Sequence, residues 1–197
     1  KNAVPLLMTH GWPGSILEFT KVIESLTNPS GHDGFDGIAF HLICPTLPGY
    51  GYSGKPTSPG WSLSRIAKTW NSLMLALGYE KYFAQGGDWG AAVTLAIAVE
   101  QTTNCIGIHT NMPVLSVSEG GLQNLTDFEK ECLAGHQYYW DQDSGYSKEQ
   151  STRPQTIGYG LVDSPVAQCA WIIEKFRSWM DCEGHPENIL TRDELLD

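Results

Sequence analysis

Between Val4 and Asn111 short apolar runs alternate with stretches of helical spacing, and this alternation restricts the fold more than any other feature. Val4 to Thr9, Ile38 to Cys44, Lys81 to Gln85 and Cys105 to Asn111 read as buried strands. Ser15 can cap the segment after the first, where Ile16, Phe19, Ile23 and Leu26 recur at helical spacing. Ser62 to Gly78 reads as an amphipathic helix, with Ile66, Trp70, Leu73 and Leu77 on one face. Gly90 to Glu100 is a helix of small residues. Asn28 to Gly37 and the Gly- and Pro-dense Pro45 to Trp61 read as loops. Alternating strand and helix predicts an α/β class: a mostly parallel, doubly wound sheet covered by helices.

After Pro113 the rhythm stops. Leu122 to Asp141 and Ser164 to Asp181 read as helical, with no clear strand between or after them. The expected organisation is a partial α/β core over residues 1–113 and an incomplete helical cap over 114–197, with a break near Met112 to Ser118.

The formal net charge of -10 argues against nucleic acid or an anionic membrane as partner, because both demand a basic face. No apolar run approaches the roughly 20 residues that span a bilayer. No charged-then-apolar signal precedes the first strand, so a cytoplasmic location is expected. The five cysteines, Cys44, Cys105, Cys132, Cys169 and Cys182, contain no C-x-x-C pair and read as reduced, mostly buried thiols. Cys182 and His185 are spaced like half a metal site without a second half, so no metal is expected. Asn124-Leu125-Thr126 fits a glycosylation acceptor but is a common triplet without secretory context.

Gly86-Gly87-Asp88-Trp89-Gly90 lies between a strand and the small-residue helix. That is the setting of the nucleophile elbow, G-x-Nu-x-G, usually written with serine. Taken alone, an aspartate here is equally an ordinary helix N-cap after a glycine turn. A second motif, His10-Gly11-Trp12-Pro13-Gly14-Ser15, follows the first strand. Where such an elbow occurs, the loop after the earlier strand gives one oxyanion-hole N–H and the residue after the nucleophile gives the other. Trp12 and Trp89 become the candidate donors, with His10, Gly11 and Pro13 supporting the loop. Gly49-Tyr50-Gly51-Tyr52-Ser53-Gly54 matches a dinucleotide fingerprint, but Lys55-Pro56 follows where a helix should open, so no organic cofactor is expected.

On these motifs the chain resembles the epoxide hydrolases of the α/β-hydrolase fold, in the branch that includes the microsomal-type enzymes. The resemblance extends through Pro45 to Ser53, Ser151 to Gly158 and Asp163-Ser164-Pro165, the last two matching that family's cap. It implies epoxide plus water going to a vicinal diol, with a small-molecule epoxide as partner. It also implies that Asp88 is the nucleophile and Tyr146 one of two oxirane-binding tyrosines. Tyr138, Tyr139 and Tyr159 read as packing. The resemblance puts a second tyrosine, a charge-relay acid and a late histidine beyond Asp197, and none of His109, His136 and His185 matches that histidine. The chain as given is therefore expected not to turn over epoxide.

An aspartate nucleophile suits this chemistry. Serine attacking a saturated carbon makes an ether that water will not release, whereas aspartate makes an ester that water cleaves at its carbonyl. A phenol, with pKa of about 10, can hydrogen-bond and protonate the oxygen of the opening ring. Halide displacement, as in haloalkane dehalogenases, shares the Asp-Trp pair, and a non-catalytic binding protein on the same fold is a rival from another class. The Trp-Pro pair of the oxyanion loop and the Ser-Thr-Arg-Pro stretch favour the epoxide.

Overall fold

The structure, a computed structural model, describes residues 3–31, 37–100, 104–113 and 119–196. The chain divides into two compact units, Lys1–Ser116 and Val117–Asp197. The expected break at Met112 to Ser118 falls largely outside the described residues, as does part of the Asn28 to Gly37 loop.

The first unit runs β1 (Val4–Thr9), α1 (Thr20–Thr27), β2 (Phe40–Ile43), α2 (Leu63–Ala76), β3 (Tyr82–Gly86), α3 (Trp89–Val99) and β4 (Cys105–Thr110). A single 3-10 turn, Ile16–Phe19, leads into α1, and the Ser15 hydroxyl accepts from the Leu17 N–H at its start. All strand pairs are parallel, in the order β2-β1-β3-β4. Alternation along β1 divides the core. Leu7 packs with Leu47, Trp70, Met74, Val93 and Ile97 from the α2 and α3 side. Leu6 and Met8 pack with Phe19 and Leu26 on the other side. Trp70 and Met74, each contributing about 2–3 kcal/mol on burial, anchor α2 more than its Ser62 cap, at about 1 kcal/mol.

The chain leaves β1 to form β2 on one side and then crosses to form β3 on the other. Such a reversal opens a crevice beyond the carboxyl ends of the central strands, where ligands bind in open α/β sheets. The last residues of β1 and β3, Thr9 and Gly86, are register partners, so the loops that follow start side by side.

The second unit contains α4 (Asp127–Tyr138), a π-helical turn (Tyr139–Asp143), α5 (Gly145–Thr152), α6 (Pro154–Asp163), α7 (Pro165–Trp179) and α8 (Arg192–Leu196). Thr126, the last residue of the glycosylation-like triplet, caps α4 in a reciprocal capping box with Glu129. Ser164 caps α7 by accepting from the Ala167 N–H. The helices α5, α6 and α8 were not legible in sequence. They are short, and α5 and α6 are rich in Gly, Ser and Thr, which blurs a 3.6-residue pattern.

All five cysteines are free thiols, but only Cys182 is buried; Cys132 and Cys169 are exposed, contrary to the expected burial. Both sit at solvent-facing positions of α4 and α7. Among the described residues, no helix is long and apolar enough to cross a membrane, and no group of three His, Cys, Asp or Glu could hold a metal. The stretch from Gly49 to Gly54 is turn, with positive φ at Gly49 and Gly51, and α2 begins only at Leu63.

Candidate active site

Asp88 joins the end of β3 to the start of α3 with φ 50° and ψ −126°. Positive φ is sparsely allowed for a residue with a Cβ, and such strain concentrates at functional sites. Close packing holds the turn. A Cβ on Gly86 would run into the Gly90 carbonyl, and one on Gly90 would run into the Thr9 carbonyl of β1. The glycines thus let α3 settle directly on the sheet, and Asp88 is pushed out at its carboxyl edge.

The loop after β1 comes to the same place. The Trp12 backbone N–H donates to Asp88 Oδ1 at 2.7 Å. A Cβ on Gly11 would strike the Asp88 side chain, so only glycine permits this approach. The Trp12–Pro13 peptide bond is cis. The Trp12 N–H thus meets the Asp88 carboxylate itself, by direct hydrogen bond. Trp89 is the first residue of α3 and is 54% exposed.

His10 ties the loop down from beneath. It is 1% exposed, and its Nε2 accepts from the Leu47 N–H at 3.0 Å. Nδ1 then carries the proton and meets the Gly11 carbonyl at 2.8 Å. Burial lowers the imidazole pKa, outweighing the Gly11 bond and the charge of Asp88. His10 is thus a neutral pin between the loops after β1 and β2, stacked edge-on against Tyr50 at 5.4 Å.

Two groups that feel the charge of Asp88, Tyr50 and Glu18, carry no role in the sequence analysis. Burial, and then the Asp88 charge, raise the Tyr50 pKa. The Glu18 carboxyl is raised by desolvation first and by Asp88 second, and backbone hydrogen bonds at Gly11 and Ser15 oppose this. Its carboxylate lies where a Gly14 side chain would be. The signal was available: Ser15-Ile16-Leu17-Glu18 has the S-x-x-E spacing of a capping box, whose acid reaches back over the preceding loop.

In the second unit Tyr146 lies on the first turn of α5. Its hydroxyl meets the Tyr139 hydroxyl at 3.1 Å, and its ring packs edge-on against Trp179 at 5.2 Å. The Lys175 ammonium is 5.1 Å from the ring centroid. Lys175 is paired with Asp143 at 2.6 Å, the two side chains being 11% and 13% exposed. Asp143 also accepts from Trp179 Nε1 at 2.5 Å. Burial by itself would raise the Asp143 carboxyl, but the bonds from Lys175 and Trp179 outweigh it and hold the pKa below its ordinary value. Of the histidines given no role, His109 lies in β4 and His136 in α4, where it accepts from Trp140 Nε1 at 2.9 Å.

A family model described as the alpha/beta hydrolase fold matches residues 4–143, from β1 through the elbow and into the second unit. The chain belongs to the alpha/beta hydrolase fold family. This alpha/beta hydrolase is 51% identical, over its full length, to a Stigmatella aurantiaca protein provisionally named an epoxide hydrolase, of which it covers 45%. It is 38% identical over 194 residues to epoxide hydrolase 1 of Oryctolagus cuniculus, covering 91% of this chain and 43% of that one. A crystal structure of juvenile hormone epoxide hydrolase from the silkworm Bombyx mori superposes with a TM-score of 0.84 at 34% identity, over 100% of this chain and 50% of the other. The chain thus spans about half the length of the curated relatives it matches. The strand–turn–helix at Gly86 to Gly90, with aspartate at its centre, lies within the matched residues.

Proposed function

We propose that the protein is an epoxide hydrolase, adding water to an epoxide through an ester on Asp88 to give a vicinal diol. One observation carries the reading: an aspartate on a strained elbow, with Oδ1 held by the Trp12 N–H at 2.7 Å. The likeness to relatives and a solved structure named as epoxide hydrolases supports it.

In this reading Trp12 holds Oδ1 and leaves Oδ2 to attack an epoxide carbon. A carbon–oxygen bond forms as the ring C–O bond breaks, and the ring oxygen takes the Tyr146 proton. The Trp12 and Trp89 amides then hold the ester carbonyl, and the charge that grows on it as water adds. His10, neutral and engaged at both nitrogens, keeps Gly11 and Trp12 in position and is not the base. The chemistry of Asp88, Trp12 and Tyr146 calls for neither metal nor organic cofactor.

The test is chemical. The full-length protein, acid-quenched during turnover of a terminal epoxide, should carry the mass of the epoxide on the Asp88 peptide. An adduct found only on other peptides would sink the assignment.

A further inference from the structure

We propose that Tyr139 is a positioning residue for Tyr146, donating its hydroxyl proton to the Tyr146 oxygen so that the Tyr146 proton is left for the epoxide. The proposal rests on the reading of Tyr146 as the ring-opening acid.

The Tyr146 ring is fixed by one set of neighbours and its hydroxyl faces another. Trp179 and the Lys175 ammonium hold the ring, and the nearly buried Asp143 holds both of them. With the ring so placed, the freedom that matters for acid chemistry is where the hydroxyl proton points. The Tyr139 hydroxyl lies 3.1 Å from that hydroxyl. Tyr139 and Asp143 are the two ends of one π-helical turn. A single irregular turn thus supplies both the anchor of the ring and the partner of the hydroxyl. Such turns are rare and recur at functional sites, because they offset side chains from the positions a regular helix would give them.

The direction of the bond follows from chemistry. Each phenol has one proton to donate and can accept. If Tyr146 donated to Tyr139, its proton would be spent and the ring oxygen of the substrate would meet a lone pair. If Tyr139 donates, the Tyr146 proton remains for the substrate. The bond then strengthens during reaction. At 3.1 Å it is a long, weak contact between neutral groups. As the Tyr146 proton moves to the opening oxygen, the Tyr146 oxygen becomes a phenolate, and a hydrogen bond to an ionised acceptor is shorter and roughly twice as strong. An interaction stronger in the transition state than in the ground state accelerates the step. The balance closes within the proposed reaction: Oδ2 of Asp88 gives an electron pair to carbon, the ring C–O pair stays on oxygen, and that oxygen takes the Tyr146 proton. Tyr139 keeps its own proton throughout, and Tyr146 is reprotonated from water before the next turnover.

Single-turnover kinetics of the full-length protein on a terminal epoxide test this. Tyr139→Phe keeps the ring and removes only the hydroxyl. It should slow alkylation of Asp88 about ten- to a hundredfold, the loss expected for one bond to a charging oxygen, and leave hydrolysis of the ester unchanged. In a Tyr146→Phe background the same substitution should have no further effect on alkylation, because the oxygen it serves is gone. A purely structural role would cost the same in both backgrounds. Unchanged alkylation in Tyr139→Phe, or an equal loss in both backgrounds, overturns the proposal while leaving Tyr146 as the acid. Wild-type alkylation in Tyr146→Phe alone overturns the reading of Tyr146, and the proposal with it.

Discussion

The backbone N–H of Trp12 and the side chain of Asp88 meet at 2.7 Å, although 76 residues separate them in sequence. The contact joins a carboxylate to a donor that no substitution at Trp12, other than to proline, removes. Asp88→Asn should therefore retain the fold, because its amide oxygen can still accept from Trp12. It should lose the nucleophile and lower epoxide turnover by at least about a thousandfold. Circular dichroism and initial rates on the full-length protein check the two halves of that expectation.

Gly90→Ala should be costly although it removes no functional group. Its methyl would be driven into the Thr9 carbonyl, which β1 and its sheet neighbours hold in place. A cost of about 3 kcal/mol is expected, at the upper end for overpacking, read as a lower urea midpoint at unchanged slope. A midpoint within experimental error of the wild type would show that α3 can lift from β1 without penalty.

His10 should impose a pH dependence on stability. Its folded pKa lies below the ordinary 6.5, so below that pH the unfolded chain binds a proton that the folded chain refuses. The stability from the neutral ring is fully present above pH 6.5 and is lost as pH falls from there towards the folded value. Urea midpoints between pH 8 and pH 5 should fall more steeply for the wild type than for His10→Gln. Parallel slopes would mean that His10 accepts its charge where it stands.

The Asp143–Lys175 pair should matter more when broken than when removed. Lys175→Met leaves a nearly buried carboxylate without its cation, at a cost of about 3 kcal/mol. The double variant Asp143→Leu, Lys175→Met removes both charges and should recover part of that loss in the same unfolding experiment. A double variant less stable than either single one would assign the pair a net stabilising role.

Legibility of the molecule in its sequence followed the range of the forces involved. The strands of the first unit were readable as short continuous apolar runs, as at Leu6, Leu7 and Met8, and its helices from apolar residues at helical spacing, as at Trp70 and Leu73. The meeting of Asp88 and Trp12 was readable because each lies in a glycine-marked loop after a strand, and parallel pairing brings such loops together. Tyr139 was read as packing, and its contact with Tyr146 was missed. That contact depends on a π-helical turn, for which seven residues of separation give no clue. Glu18 did carry a local signal, its spacing from Ser15. Its electrostatic coupling to Asp88 was hidden because that arises between loops distant in sequence.

The pairing of Thr9 with Gly86 has a further implication for how the protein can vary. The loops carrying Trp12 and Asp88 leave from matched positions on neighbouring strands, so they start one interstrand spacing apart, roughly 4.8 Å. Side-chain exchanges in the sheet leave that spacing intact. Only a slip of register could alter it, and a slip of one residue would turn Leu6 and Met8 out of their cluster and put Leu7 in their place. Misalignment of donor and carboxylate therefore requires a register change that the core forbids, so sequence drift in the sheet unfolds the protein before it disturbs the alignment.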